Sequence, residues 1–369
     1  MARGSARRSV ARALIAVLVA GAALASFSGW ARAGDEMGGI KYVSVHDGDG
    51  NLICETGFRL GVGDEYLDGD NALWRVERVV GDSTAIAAYV RQLDLTSAVE
   101  DFQATLAGSE AAAGGAPQVG IYHTHSDESY RPSDGTDSDP GGQGGIYRVG
   151  DALAEGLKDQ GIGVNHSLAS HLPHDSGAYE RSRRTAMSVL KGSAAIFDVH
   201  RDAAPPEAYL KRVGDQNITQ IMMVIGAANP QANANFGFAS ALKAAADKVR
   251  PGLIRGILRT GGDFNQDLSS RALLLEVGAH TNRRDEAEAA VADLAAVVPS
   301  LLGGGAIGTH STGAWRAIGI IAILVVGGGG LWLFVATGGN WSEAWRKLRS
   351  LGQEFASYLG RRHRTGSRR

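Results

Sequence analysis

The chain has 369 residues, 44% of them hydrophobic, which is enough to bury more than one sizeable core. Its formal net charge of -2 gives no reason to expect a nucleic-acid partner. Its single cysteine, Cys54, excludes an intrachain disulfide and a cysteine-based zinc site. We expect Cys54 to be a small buried residue within a strand.

The first residues have the pattern of an export signal. Four arginines between Arg3 and Arg12 precede an uncharged run over 13–31, and "ARA" closes the run at 31–33. A basic start, an apolar centre and small residues at the cleavage point are typical of such signals. The run also borders on the length of a membrane span, so residues 1–33 are predicted to be a signal peptide or an N-terminal membrane anchor.

Residues 38–92 are predicted to form a small β-rich domain. The alternating segment "KYVSVH" at 41–46 and the returning segment "NLICET" at 51–56 indicate a hairpin. The segments "ALWRVERVV" at 72–80 and "TAIAAYV" at 84–90 favour two further strands. A Gly/Ala-rich segment follows, and it is predicted to be a linker over residues 93–117.

Residues 118–302 alternate between strand-like and helix-like segments. The predicted strands are 119–124, 162–167, 194–200, 218–226 and 272–278, and the predicted helices are 147–161, 179–192, 238–250 and 284–302. This alternation favours an α/β domain, with a sheet flanked by helices on both faces.

The C-terminal part carries a second apolar run. Residues 317–337 contain no charge and are long enough to cross a hydrocarbon core of about 30 Å, so a transmembrane helix is predicted. Residues 338–369 are rich in arginine, which predicts a basic cytoplasmic tail. The chain is then a cell-membrane protein whose α/β domain lies outside the cytoplasm.

Titratable side chains end three of the predicted strands. His125 and Glu128 follow the first strand, and His200 ends the strand over 194–200. Glu276 lies inside the apolar segment "ALLLEVG". Because active residues of α/β sheets gather beyond the carboxyl ends of strands, we expect these side chains to meet.

This set predicts a zinc site. His125, Glu128 and His200 match the His/Glu/His ligands of hydrolytic zinc, which keeps a fourth position for water. Such a zinc ion polarises a carbonyl and acidifies the water, while a further carboxylate moves the proton to the leaving nitrogen. We predict that Glu276 is this base, since a charge within an apolar strand is costly unless it is used.

Neighbouring residues leave alternatives open. His123 could replace His125 as ligand or support the ligands, but the spacing of His125 to Glu128 makes the better chelate. Asp127 is expected to be a solvated loop acid, and His166 a surface residue.

The segment "HLPHDSGAYERSRRT" at 171–185 contains a second polar cluster. His174 and Asp175 are candidates to orient a ligand or bind substrate, and Arg181 is a candidate to hold a carboxylate of the substrate. An ordinary solvated loop before a helix is the alternative. Further candidates for substrate binding or for support of the ligands are Arg201, Asp202 and His280.

Four segments resemble motifs of the stage II sporulation protein P family. These segments are "IYHTHSDESY", "HDSGAYERS", "FDVHRDA" and "LLLEVGAHTN", and the resemblance spans about residues 118–300. The resemblance implies zinc ligation by His125, Glu128 and His200, with Glu276 as the catalytic carboxylate. It also implies a catalytic domain similar to that of N-acetylmuramoyl-L-alanine amidases.

The resemblance further implies a function at the cell wall. Members of this family are expected to cut the amide between muramic acid and the stem peptide of peptidoglycan, and also peptide cross-links. They are expected to act in engulfment beside stage II sporulation proteins D and M. The family typically has one N-terminal membrane segment, so the C-terminal span predicted here departs from its pattern.

Two other functions fit the same residues. A zinc carboxypeptidase acting on wall peptides would use the same ligands and base. A non-catalytic wall-binding scaffold would need neither Glu276 nor His200. The intact set of predicted site residues argues against the scaffold.

Overall fold

The computed structural model describes residues 42–107, 117–213 and 216–302. The predicted signal, the predicted span and the predicted basic tail lie outside these ranges. Within the three described ranges, no helix combines the length and the apolar character that a membrane crossing requires. The predicted membrane topology therefore stays a prediction.

Apolar and alternating segments of the sequence become thirteen described strands. The strands are β1 (Val43–His46), β2 (Leu52–Thr56), β3 (Glu65–Asp68), β4 (Ala72–Val80), β5 (Thr84–Gln92), β6 (Gln118–Tyr122), β7 (Gly163–His166), β8 (Ala195–Asp202), β9 (Leu210–Val213), β10 (Gln216–Thr219), β11 (Ile221–Gly226), β12 (Ile254–Thr260) and β13 (Ala272–Ala279). Eleven of them form one sheet in the order β2-β1-β5-β4-β3-β12-β11-β13-β8-β6-β7, while β9 and β10 pair with each other.

The direction of the strands decides where polar side chains collect. Strands β7, β6, β8 and β13 run parallel to one another, so their carboxyl ends share one edge of the sheet. Strand β11 pairs antiparallel with β13, and β12 runs parallel to β11. Every residue of β8 and β13 is buried, as expected for strands covered on both faces.

Helices cover the sheet, as predicted for an α/β fold. They are α1 (Ala98–Ala107), α2 (Arg131–Asp134), α3 (Ile146–Asp159), α4 (Ala178–Leu190), α5 (Ala232–Val249), α6 (Arg284–Val297) and α7 (Pro299–Leu302), with 3-10 turns at Pro206–Ala208 and Gln266–Leu268. On α3, Val149, Leu153 and Leu157 recur every four residues and form one buried stripe. This stripe packs with residues of α5 and α6 in one core on the first face of the sheet.

The second face has a different cover. Helix α4 packs over β6 and β8, where Ala186 contacts the cluster of Tyr122 and Ile196. Further along this face, Phe58 and residues of β1 and β2 share a core with Leu274 of β13. The N-terminal strands thus cover part of the sheet to which they also belong.

The prediction of a separate β-rich domain over 38–92 is wrong. Strand β3 pairs antiparallel with β12, with Leu67 opposite Ile257, and this pairing joins the N-terminal strands to the central sheet. Strands β3 and β12 were both missed by the sequence analysis. The N-terminal strands alone would bury little apolar surface, so they are stabilised by joining the larger sheet. In turn, β3 pairs with an edge of β12 that would otherwise be open.

The predicted linker over 93–117 also needs correction. Its first half forms α1, and Phe102 of this helix stacks on Phe238 of α5 with ring centroids 5.2 Å apart. Alanine and glutamate favour helix, and an aromatic partner on the main body stabilises it. The strands and helices predicted after residue 118 are present with shifted ends, with two exceptions. The predicted strand 218–226 divides into β10 and β11 at Gln220, and the predicted helix 284–302 divides into α6 and α7 at Val298.

Candidate metal centre

The candidate site lies at the shared carboxyl edge of β6, β8 and β13. Val199 of β8 belongs to the core on the first face, so its neighbour His200 projects to the second face. Glu276 of β13 is the register partner of His200 and projects to that same face, since its neighbours Leu275 and Val277 lie in the first core. Two adjacent strands therefore present an imidazole and a carboxylate side by side.

The turn after β6 supplies the other two polar groups. The Nδ1 atom of His125 lies 3.4 Å from Oε1 of Glu128, and the Nδ1 atom of His200 lies 3.5 Å from the same oxygen. The rings of His125 and His200 are nearly perpendicular, with centroids 5.0 Å apart. All three side chains are buried, so the structure brings together the three predicted ligands.

Backbone contacts fix Glu128 in this position. Its carbonyl accepts a hydrogen bond from the Ile146 amide at 3.0 Å, and its Oε2 atom accepts one from the Arg201 amide at 3.0 Å. Gly144 packs against this turn so closely that a Cβ atom there would lie 2.1 Å from the Glu128 carbonyl oxygen. The turn therefore requires glycine at residue 144.

Asp198 holds the ring of His200. Its Oδ1 atom lies 2.9 Å from Nε2 of His200, and Thr124 donates to the same carboxylate from its amide and its hydroxyl. Since a carboxylate only accepts, this contact favours a hydrogen on Nε2, and Nδ1 is the ring nitrogen on the side of Glu128. Asp198 was not among the predicted site residues, although a carboxylate two residues before a strand histidine lies on the same face of the strand.

The charges around His200 and Glu128 favour a cation between these two side chains. Burial opposes the charged form of His200, but the carboxylates of Asp198 and Glu128 hold the pKa of His200 well above its ordinary value. Burial likewise opposes ionisation of Glu128, but His200, Arg201 and His125 keep its pKa below the usual range. Without a metal ion, the doubly protonated ring of His200 supplies this positive charge. A bound metal ion would displace one of its protons.

The donor set fits zinc. Zinc bonds of about 2.0–2.1 Å to nitrogen and oxygen place tetrahedral ligands roughly 3.3 Å apart. The separations of 3.4 Å and 3.5 Å around Oε1 of Glu128 are close to this value. That oxygen has no hydrogen-bond partner among the described residues although it is buried. Zinc ligation by these residues stays a prediction.

A third imidazole belongs to the same cluster. The ligand atoms of His125, Glu128 and His174 all lie within 4.8 Å of one another. The ring of His174 stacks on that of His125, with centroids 3.9 Å apart. Tyr179, which the sequence analysis did not single out, places its ring 5.4 Å from that of His125 and 6.3 Å from that of His200.

His123 lies away from this cluster. Its Nδ1 atom donates to the Val199 carbonyl at 2.9 Å, and its Nε2 atom lies 2.9 Å from Nε2 of His166. Burial, with His166 nearby, lowers the pKa of His123 to about 3, so the ring is neutral. Both nitrogens of His123 are thus used inside the fold, and His166 is an internal partner rather than the predicted surface residue.

Asp127 is another correction. It was expected to be a solvated acid, but it is 3% exposed and contacts Nδ1 of His174 at 3.0 Å. Ser138 donates to the same carboxylate at 2.6 Å. The turn of 125–128 points Asp127 inward because the residues after it fold back over the site.

Arg181 and Asp175 contact each other and the loop between them, and their role in substrate binding stays a prediction. Arg181 donates from Nε to the His171 carbonyl at 2.7 Å, and it also contacts Pro173. Its guanidinium pairs with Asp175 at 2.6 Å. The structure uses this arginine to hold the loop that carries His174.

Asp202 contacts two other parts of the fold through its carboxylate. Its carboxylate accepts hydrogen bonds from the Gly57 amide at 2.7 Å and from the Tyr209 hydroxyl at 2.8 Å. Asp202 therefore joins β8 to the N-terminal strands. Its role in substrate binding or in support of the ligands stays a prediction. His280 is buried nearby, and its amide donates to the Asp202 carbonyl at 2.9 Å.

Arg201 remains at the edge of the site. Its Nη1 atom lies 3.7 Å from Oε1 of Glu128, and its Nη2 atom donates to the Asp137 carbonyl at 3.1 Å. The guanidinium therefore adds positive charge beside the Glu128 carboxylate. Substrate binding by Arg201 and by His280 stays a prediction.

Comparisons with known structures show only distant similarity. An N-acetylmuramyl-L-alanine amidase, Ami1, from Mycobacterium smegmatis matches with a TM-score of 0.35 and 14% identity, over 53% of this chain and 100% of that chain. A metallo-carboxypeptidase from Burkholderia cenocepacia matches with a TM-score of 0.22 and 12% identity, over 64% of this chain and 80% of that chain. Scores this low do not establish a shared fold.

Sequence comparisons are more specific. A model of the family described as stage II sporulation protein P matches residues 83–299, which include every residue of the candidate site. The stage II sporulation protein P of Bacillus subtilis (strain 168) is 33% identical over 191 residues, which are 47% of this chain and 48% of that protein. The chain thus spans about half the length of this relative. The family match covers more than half of the chain, and the chain therefore belongs to the stage II sporulation protein P family.

Proposed function

We propose that this protein is a zinc-dependent peptidoglycan hydrolase that cleaves the amide between N-acetylmuramic acid and the stem peptide. The main support for this proposal is that His125, Glu128 and His200 lie together at one edge of the sheet. Glu276 lies beside His200 on the next strand. Membership of a sporulation family supports a hydrolase of the cell wall. Cleavage of peptide cross-links is a second reaction that the same groups could perform.

The residues divide the chemical work between them. His125, Glu128 and His200 would hold the ion, which when bound supplies a polarised carbonyl and an acidified water. Glu276 accepts the proton of the attacking water as a new bond forms between the water oxygen and the scissile carbonyl carbon. Glu276 then gives this proton to the amide nitrogen as the carbon–nitrogen bond breaks. One water is consumed, and the products are a lactyl carboxylate and a free amine.

The buried surroundings suit this chemistry. Asp198 and Thr124 hold His200 in one ring orientation, and the Arg201 amide holds one oxygen of Glu128. Ligands that are fixed before the reaction need no reorganisation during it. The strand position of Glu276 likewise keeps its carboxylate at the same edge as the ligands.

The cellular setting is part of the proposal. The terminal apolar runs and the basic tail support a cell-membrane protein with its catalytic domain on the wall side and its tail in the cytoplasm. Stage II sporulation proteins D and M are the proposed partners in engulfment. Peptidoglycan and the membrane are the proposed surfaces on which the protein works.

Digestion of intact sacculi tests the reaction. Full-length protein in detergent is loaded with zinc, incubated with sacculi, and the soluble products are identified by mass spectrometry. An amidase releases whole stem peptides and leaves glycan strands with free lactyl groups. Release of single terminal amino acids would show a carboxypeptidase instead, and no release beyond that of Glu276→Gln would leave a wall-binding scaffold.

A further inference from the structure

We infer that His174 is a fourth protein ligand of the same ion, and that it occupies the position that water must take for hydrolysis. The inference rests on the proposed zinc function and adds to it. His174 belongs to an exposed arm, defined here as residues 171–175, between β7 and α4. The arm would close the site at rest, and substrate binding would have to displace it.

His174 lies close to two of the three predicted ligands. His174, His125 and Glu128 each offer a ligand atom, and these atoms lie within 4.8 Å of one another. The stacked rings of His125 and His174, inclined by 16°, place the imidazole of the arm directly against a predicted ligand. Because each ring nitrogen binds an ion in the plane of its own ring, coordination of one ion by both histidines would require the His174 ring to turn out of this stack toward Glu128.

Asp127 orients the ring of His174. Nδ1 of His174 lies 3.0 Å and 3.1 Å from the two oxygens of Asp127, so this nitrogen carries the hydrogen and donates it. The lone pair of the ring is then on Nε2. Histidines that bind metal typically donate their other nitrogen to a carboxylate in this way.

The surroundings of His174 match those of His200. Asp198 lies 2.9 Å from Nε2 of His200, as Asp127 lies 3.0 Å from Nδ1 of His174, and both carboxylates are nearly fully buried. A buried carboxylate is costly unless its charge is compensated. Ser138 donates to Asp127, as Thr124 does to Asp198, so each carboxylate is also fixed by a hydroxyl. The arm thus repeats the arrangement that surrounds a predicted ligand.

The arm is fixed at its root and exposed at its tip. The His171 ring contacts the His123 carbonyl at 2.8 Å, and the His171 carbonyl accepts a hydrogen bond from Arg181. The side chain of His174 is 29% exposed and that of Asp175 is 51% exposed. Arg181 also holds Pro173 and Asp175 on either side of His174. Movement of the tip would therefore break these contacts of Arg181, while the root at His171 stays in place.

Such a fourth ligand changes how the site would work. Zinc sites with four protein ligands are closed, whereas hydrolytic sites keep one position for water. Release of the His174 nitrogen would leave one position for a water oxygen and would convert the first kind of site into the second. Wall substrate that enters over the arm would have to cause this release.

X-ray absorption at the zinc edge tests the inference on the full-length protein loaded with zinc. The wild type should show three imidazoles bound to zinc, and His174→Ala should show two. His46→Ala is the matched control, because His46 is a partly exposed histidine on β1 that should leave the number at three. The zinc dissociation constant, measured against a competing chelator, should rise about tenfold or more in His174→Ala.

The outcomes separate this inference from the proposed function. Two imidazoles in both the wild type and His174→Ala, with equal zinc affinity, would overturn the role of His174 and leave the zinc hydrolase intact. A wild type that binds no zinc would overturn both. If circular dichroism shows that His174→Ala is unfolded, Asp127→Asn replaces it: this variant should weaken zinc binding, and unchanged affinity would count against the inference.

Discussion

Each of two histidines at the site lies against a buried carboxylate. His200 contacts Asp198, and His174 contacts Asp127, so both rings are held by residues that are themselves fixed by hydroxyl groups. A carboxylate in this position sets which ring nitrogen carries the hydrogen and strengthens the basicity of the other. The chemistry of the site therefore depends on residues beyond the predicted ligands.

Glu276→Gln tests the base at this scale. Glutamine keeps the size of the side chain but cannot accept the proton of the attacking water, so hydrolysis of sacculi should fall by about 100- to 10,000-fold. Zinc content, measured by inductively coupled plasma mass spectrometry, should stay at the wild-type value because Glu276 is not a ligand. Activity near the wild-type rate would show that another group is the base.

The pair of variants His125→Ala and His123→Ala tests the choice of ligand. His125 lies 3.4 Å from Glu128, whereas both nitrogens of His123 are occupied by Val199 and His166. Equilibrium dialysis should show loss of zinc from His125→Ala and retention in His123→Ala. Zinc loss from the His123 variant alone, with the fold intact by circular dichroism, would reverse the assignment.

At the scale of elements, β8 links the site to the N-terminal strands. Its last residue, Asp202, accepts hydrogen bonds from Gly57 after β2 and from Tyr209 before β9. The pKa of Asp202 is raised, because burial outweighs these hydrogen bonds. His200 lies two residues earlier on the same strand. The hydrogen bonds from Gly57 and Tyr209 therefore also hold the part of β8 that carries this predicted ligand.

Asp202→Ala should therefore destabilise the fold. Removal of this buried acceptor leaves the Gly57 amide and the Tyr209 hydroxyl without a partner, at a cost of about 2–4 kcal/mol in the free energy of unfolding. Urea denaturation followed by circular dichroism measures the change. Asp82→Ala, an exposed position in the turn between β4 and β5, serves as control with an effect within about 0.5 kcal/mol. Equal effects of the two variants would show that Asp202 is not a link between elements.

At the scale of the whole molecule, one continuous sheet carries both the N-terminal strands and the site. Asp64, just before β3, accepts hydrogen bonds from the Gly61 amide at 2.8 Å and from the Thr260 hydroxyl at 2.7 Å. Burial raises the pKa of Asp64 from 3.8 to about 6, although both hydrogen bonds oppose the shift. A carboxyl group therefore lies close to the pairing of β3 with β12, and the folded state binds its proton more tightly than an exposed aspartate would.

This shift predicts a pH dependence of stability with a definite sign. The folded state holds the Asp64 proton more tightly than the unfolded state, so its stabilising effect is complete below about pH 4 and is lost as the pH rises through 6. The wild type should lose about 1–3 kcal/mol relative to Asp64→Asn between pH 4 and pH 7. Urea denaturation of both proteins across this range measures the difference, and a difference independent of pH would contradict the prediction.

Much of the central architecture could be predicted because its signals are local. The apolar runs around Phe197 and Leu274 are long enough to indicate strands buried on both faces, and helix periodicity locates α3 and α4. Strands β3 and β12 were missed because their identity depends on pairing with each other. The hydrophobic pattern of Glu65–Asp68 is too short to indicate a strand alone.

The sequence by itself determined that imidazoles and carboxylates stand at the ends of apolar strands, since strand direction and the period of two place them there. Only the tertiary structure decided which of them meet: His125 faces Glu128 and His200, while His123 turns to His166. It also brought Asp198, Asp127 and His174 around the same point. These contacts join residues far apart in the chain, and the distance between side chains is set by how strands, turns and the arm pack rather than by their spacing in sequence.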